Sequence, residues 1–347
     1  QARLSDQEAI HVVRRAPRGP LARQVQGIAM TAEEIAVERH DHVGLGQVVH
    51  GPQITAHGQQ PIGLCQSTAT GVNSSTPGNW EIKEIMMSRI ACLGGIYSNH
   101  LALEAALQDA RKRGVDAIYC LGDLGGFGPH PDRVFPLLEE YQVQCVQGNY
   151  DDSIGHGLDD CQCGYTDPTD NYYAQISYDY TLANTSSQHR AILRDMPTQR
   201  HVSLGPFRLL LCHGSPRQVN EFLWESTTSS HFLQHLLNKY QVNLIATTHT
   251  GIKWQRQVGD QSWFVNVGVL GRPENDGTTA VWYTILEVDS SSELKISFIP
   301  IEYDHQQLAQ QMQTEGLPNE FIETIVTGWW STCLEILPAK ERLRGRY

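Results

Sequence analysis

Leu121-Gly122-Asp123-Leu124-Gly125-Gly126-Phe127-Gly128-Pro129 is the stretch that decides the reading of this 347-residue chain. It follows the apolar run Ala117-Ile118-Tyr119-Cys120, and a short apolar run closed by a turn signal is the pattern of a buried strand. The same pattern recurs three times. Val143-Gln144-Cys145-Val146 leads into Gln147-Gly148-Asn149-Tyr150-Asp151-Asp152, Leu209-Leu210-Leu211-Cys212 into His213-Gly214, and Val242-Asn243-Leu244-Ile245-Ala246 into Thr248-His249. A polar residue just past the carboxyl end of a strand stands where open α/β sheets build their sites. Four strands therefore bring Asp123, Asn149, His213 and His249 to one sheet edge. Carboxylate, amide oxygen and imidazole together suit a divalent Mn, Fe or Zn ion, with water completing the shell.

The order Gly-Asp, Gly-Asn-x-Asp, His-Gly, x-His-Thr resembles the calcineurin-like metallophosphoesterases, most of all their compact bacterial branch. His213-Gly214-Ser215-Pro216 and the segment Phe264 to Gly271 add to the likeness, which runs from about Ser88 to about Asp304. The resemblance implies an α/β fold, a four-layer αββα sandwich of two mixed β-sheets flanked by helices. It implies a metal-dependent hydrolase that cleaves a small phosphate mono- or diester with metal-activated water. Carried over residue by residue, Asp123, Asn149, His213 and His249 are the metal ligands. Asn149, Tyr150 and Asp151 form the catalytic set. Tyr150 takes the place of a leaving-group histidine, and Asp151 that of the residue orienting it. Arg217, Asn99 and Tyr97 lie beside the motifs as substrate-binding candidates, Arg217 because a guanidinium can clamp phosphate bidentately.

The departures from the family pattern are as informative. The first strand should end in Asp-x-His and the histidine motif should read Gly-His-x-His. Here Gly95, Tyr97 and Gly251 stand at the positions of one Asp and two His. Members of the family hold two metals, and the replaced residues belong to one of them. The expectation is one divalent metal per chain. Three outcomes follow: a slower or differently specific phosphoesterase, a second site rebuilt from Asp159, Cys161 or Cys163, or a catalytically weak relative acting as a metal- or nucleotide-binding or regulatory module.

Composition narrows the remainder. A net charge of -12 argues against a polyanion-binding surface, so a small phosphate ester rather than bulk nucleic acid is the expected partner. Oligomeric state is not encoded in any motif. Of the eight cysteines, Cys92, Cys120, Cys145 and Cys212 fall in or at the end of expected strands, a usage that fits a reducing cytoplasm better than a disulfide framework. No apolar run approaches the roughly 18 residues of a membrane span. Of 28 aromatic residues only Trp80 precedes Met87. Residues 1–86 therefore read as a disordered leader or an over-long start, 87–304 as the metallophosphoesterase domain, and 305–347 as C-terminal helices and a tail packed on it. The stretch Asp151 to Asp170, with six Asp and no Lys or Arg, reads as an acidic surface loop beside the site.

Overall fold

Strands alternating with helices, as the first half of the sequence predicts, give βαβ units, and right-handed crossovers between them lay the first strands side by side. The computed structural model describes residues 87–343, so the expectations for residues 1–86 and for the last four residues lie outside it. The order is β1 (Arg89–Leu93), α1 (His100–Lys112), β2 (Ala117–Cys120), α2 (Val134–Glu140), β3 (Gln144–Cys145), α3 (Asn149–His156), α4 (Pro168–Asn184) and α5 (Ser187–Asp195). There follow β4 (Gln199–Leu204), β5 (Phe207–Cys212), α6 (Ser230–Tyr240), β6 (Leu244–Thr247), β7 (Trp254–Gln257), β8 (Trp263–Asn266), β9 (Val281–Val288) and β10 (Leu294–Ile301). Helices α7 (His305–Thr314), α8 (Asn319–Thr327) and α9 (Ala339–Arg342) close the described chain.

The strands form two five-stranded mixed sheets, ordered β10-β9-β1-β2-β3 and β4-β5-β6-β8-β7. In the first, β1, β2 and β3 are parallel and β9 and β10 antiparallel; in the second, β5, β6 and β8 are parallel and β4 and β7 antiparallel. The sheets meet through Ile90, Cys92, Tyr119 and Leu121 on one side and Leu209, Leu211, Leu244 and Val265 on the other. Residues of alternate parity on the same strands face outward, because side chains alternate across a strand. Ala91, Leu93 and Ile118 pack under Leu103, Ala106 and Leu107 of α1. Leu210, Ile245 and Phe264 pack under Leu233, Leu236 and Leu237 of α6. The result is the helix–sheet–sheet–helix sandwich that the motif order implies.

Two elements depart from expectation. Residues 151–156, read as the start of an acidic loop, belong to helix α3, whose N-cap is Gly148 and whose N3 residue Asp151 accepts from the Gly148 N–H. This is the reciprocal half of a capping box. Strand β7 was not expected. Its sequence WQRQ carries three polar residues and lies at a sheet edge, where one face and one flank meet solvent. Trp330, near the end of the described chain, is buried with Trp224, Ile252 and Leu337. Among the described residues no helix is long and apolar enough to cross a membrane.

Candidate metal centre

The carboxyl ends of β2, β3, β5 and β6 converge on one point. Asp123 leaves β2 with a φ of 57°, and His249 follows β6 with a φ of 68°. Both lie in the left-handed region that non-glycine residues seldom adopt, a conformation found where a site imposes it. The ligand atoms of Asp123, His213 and His249 all lie within 4.8 Å of one another, and all three residues are buried. His213 Nε2 stands 3.2 Å from Asp123 Oδ2 and 3.2 Å from His249 Nδ1. His213 Nδ1 is 2.7 Å from the Leu121 carbonyl, which can only accept, so the proton sits on Nδ1 and the Nε2 lone pair faces the cluster.

Asn149 completes the set from the first residue of α3. Its Nδ2 donates to the Cys161 carbonyl at 2.8 Å and to Cys163 Sγ at 3.4 Å, which fixes the amide, while its Oδ1 is buried with no donor among the described residues. A buried acceptor left without a donor is costly. Here it sits at the residue the motifs name as a ligand. An orphaned amide oxygen, a carboxylate and two imidazoles fit a divalent cation. The electrostatics agree. Burial pushes His213 down, but the Asp123 carboxylate, and the hydrogen bond it would accept from a protonated Nε2, more than offset this, so the net shift is upward and the position favours positive charge. His249 is pushed down to about 3, by burial and then by His213, so its imidazole is neutral and available as a ligand.

Asp151 is the residue that holds the ligand loops in place. Its carboxylate accepts from the backbone N–H of Asp123 at 2.8 Å, Leu124 at 3.0 Å and Gly148 at 2.9 Å. One side chain thereby ties the loop bearing Asp123 to the helix start bearing Asn149. Burial and the neighbouring Asp123 raise Asp151 to about 6 although those hydrogen bonds favour the charged form. The two loops touch so closely at Gly148 that a Cβ there would lie 2.5 Å from the Asp123 nitrogen and 3.0 Å from His213 Cε1. Only glycine permits that approach.

Four expectations fail or change on the same geometry. Tyr150 does not face the cluster: its hydroxyl donates to Ser177 Oγ at 3.0 Å, and its ring packs between Phe127 and Tyr178. Burial holds its hydroxyl well above the ordinary tyrosine range, so it is a core residue and not a proton donor to a leaving group. Arg217 is exposed and its guanidinium forks onto Glu221. Asn99 caps α1 through Ala102 N–H at 3.0 Å and ties Gly271 carbonyl at 3.1 Å, a structural role. Tyr97 fills space: it is buried edge-on to Phe127, and a Cβ on Gly95 would lie 2.7 Å from its ring.

Cys161 and Cys163 are bonded to each other as a disulfide, so neither offers a thiolate as a replacement ligand, and the expectation of free cysteines fails at this pair. Asp159 is exposed. The other five described cysteines are free. The Cys161–Cys163 loop nevertheless covers the centre, held by Asn149 beneath it and by Asn220 Nδ2 on the Gln162 carbonyl at 2.7 Å. Phe222 completes the cover, its ring 4.3 Å from that of His249 and stacked on Trp224 and Tyr165. Sequence reasoning missed this aromatic cover, for which Phe222-Leu223-Trp224 was the available signal.

Residues 89–291 match the calcineurin-like phosphoesterase superfamily domain, and the chain belongs to that superfamily. An uncharacterized protein of Methanocaldococcus jannaschii is 24% identical over 257 residues, which cover 70% of this chain and 100% of that protein. Among solved structures, a metallophosphoesterase from Sphaerobacter thermophilus is 24% identical with a TM-score of 0.54, covering 70% of this chain and 99% of its own. A hypothetical protein from Pyrococcus horikoshii is 20% identical with a TM-score of 0.57, covering 71% and 100%. These structures share the fold.

Proposed function

We propose that the chain is a metal-dependent phosphoesterase that hydrolyses a small phosphate mono- or diester at a centre holding one divalent Mn, Fe or Zn ion. The observation behind this reading is the convergence of Asp123, His213 and His249 with the buried, donorless Oδ1 of Asn149. When bound, such a cation polarises a phosphoryl oxygen and lowers the pKa of a water ligand. The chain's own residues prepare the ground for this. Asp151 fixes Asp123 against Asn149, the Leu121 carbonyl sets the His213 tautomer, and Phe222 with the disulfide loop keeps bulk water from the imidazoles, which strengthens every charge interaction inside. Asp151 cannot act as a shuttle at the reacting group, because its oxygens are taken by three backbone donors.

A second reading, a metal- or nucleotide-binding module with little turnover, is favoured by the burial of all four ligands, of which His249 is the most exposed at 9%. Turnover of a generic phosphodiester by the Mn-loaded chain separates the two. Activity lost in His213→Ala, with folding retained, supports the enzyme. No turnover in the wild type with one metal bound supports the module, and unchanged activity in His213→Ala contradicts the site.

A further inference from the structure

Arg272 is a buried cation that the metal ligands do not explain. It lies in the loop between β8 and β9, which is tied to the chain just past β1 by Leu270 and Gly271 N–H on the Gly95 carbonyl at 2.9 and 2.8 Å. The residue is buried, 6% exposed as a whole. Trp330 covers one face of the guanidinium with its ring centre 3.6 Å away, Phe127 lies at 4.9 Å and Tyr97 at 5.7 Å. Among the described residues no carboxylate pairs with it. Glu274, two residues on, is engaged by Lys253. Its Nε is buried with no hydrogen-bond partner.

A buried arginine cannot escape its charge by losing a proton, and a buried ion without a counter-ion is strongly disfavoured. Aromatic faces return part of that cost but satisfy none of the in-plane N–H donors. The group is therefore preorganised for an anion. Its position says which one. Phe127 and Tyr97 belong to the two loops around Asp123: the Asp123 carbonyl accepts from Tyr97 N–H at 3.1 Å. On the other side Gly251 follows His249 by two residues, and a Cβ there would lie 2.8 Å from the Trp330 ring and 3.6 Å from Arg272 Nη2. The missing side chain at Gly251 thus leaves the terminal nitrogens of Arg272 next to the ligand-bearing turn. The cavity between Phe127, Arg272, Phe321 and Thr332 has a volume of about 10 Å³, room for one water at most and none for a phosphate.

We propose that Arg272 is the anion-binding residue of this site, a guanidinium fork that takes two phosphoryl oxygens of the substrate from the Gly251 side while the metal ligands Asp123, Asn149, His213 and His249 hold the cation. This rests on the phosphoesterase reading and deepens it. The positive charge that a second cation would bring is supplied instead by the chain, in the planar fork geometry that matches two phosphate oxygens.

The test uses the full chain loaded with Mn, with inorganic phosphate as the probe in calorimetric titration and metal content measured in parallel. Wild type binds phosphate. Arg272→Met keeps its metal and loses phosphate affinity by roughly tenfold to a hundredfold, the range for charge-assisted hydrogen bonds. Arg272→Lys, which keeps the charge and loses the fork, is the fallback if the Met variant does not fold, and it too binds more weakly than wild type. Phosphate bound by either folded, metal-loaded variant as tightly as by wild type overturns the assignment, as does a metal-loaded wild type that binds no phosphate. A wild type that binds phosphate through Arg272 but hydrolyses no ester supports the assignment while removing the phosphoesterase reading.

Discussion

Replacing Asp151 by Asn probes how the centre is held. The substitution is nearly isosteric, but a carboxamide has one acceptor oxygen where the carboxylate has two. One carboxylate oxygen accepts from both Asp123 and Gly148, the other from Leu124. With the amide oxygen kept on the first pair, its NH2 faces the Leu124 N–H, donor against donor. The loss is one hydrogen bond to a charged group, about 1.5–3 kcal/mol, together with a stranded buried donor at about 1–3 kcal/mol. Relief of a buried charge that already titrates near 6 beside Asp123 returns part of it. A net destabilisation of about 2–4 kcal/mol follows, and at about 2–4 °C per kcal/mol for a domain of this size Tm falls by roughly 5–15 °C. Metal binding suffers as well, because the same contact aligns Asp123 with Asn149. Loss of such outer support costs about 10–100-fold in affinity. Calorimetric melting of the apo form and metal titration of the folded variant measure the two effects separately. Wild-type Tm together with wild-type metal affinity in Asp151→Asn refutes the reasoning.

Further outcomes follow from single contacts. Gly148→Ala forces its Cβ against Asp123 and His213, so metal affinity in a competition titration falls at least as far as in Asp151→Asn, and wild-type affinity contradicts the close approach. Tyr150→Phe removes a hydroxyl bonded to Ser177, costing about 1 kcal/mol of stability and leaving kcat within a few-fold of wild type, and a hundredfold loss of kcat would restore it as a catalytic group. His100, in the first turn of α1, is held at about 4 by burial, Arg133 and His130. Its ordinary value is 6.5, so the unfolded chain takes up the proton first. Its contribution to stability is complete above pH 6.5, declines as pH falls toward 4, and His100→Gln flattens that part of the stability–pH curve. Differential alkylation of the native protein leaves Cys161 and Cys163 unlabelled until a dithiol reduces them, and labelling of both before reduction contradicts the pairing.

Much of this was legible in the sequence because it depends on order and period. Short apolar runs closed by a turn signal gave β2, β5 and β6, and the polar residues just past them gave Asp123, His213 and His249. Side-chain direction was not legible. Tyr150 follows Asn149 directly, yet a helix turns successive residues by about 100°, and Ser177 of α4, far along the chain, supplies the partner that draws its hydroxyl inward. Arg217 looked like a clamp because it follows the His213 motif, but Glu221 four residues on captures it. Arg272 gave no sign at all, since its interest lies in what surrounds it: three aromatic rings from Tyr97, Phe127 and Trp330, the last more than two hundred residues from the other two and brought to them only by the fold.

The central claim is a single metal held by Asp123, Asn149, His213 and His249. The measurement that tests it most directly is metal content per chain by elemental analysis, on protein purified without chelators and reconstituted with Mn, for wild type and for Asp123→Ala. The account predicts about one equivalent in the wild type and essentially none in the variant, with the variant still folded. Two equivalents in the wild type, or one retained in folded Asp123→Ala, would contradict it.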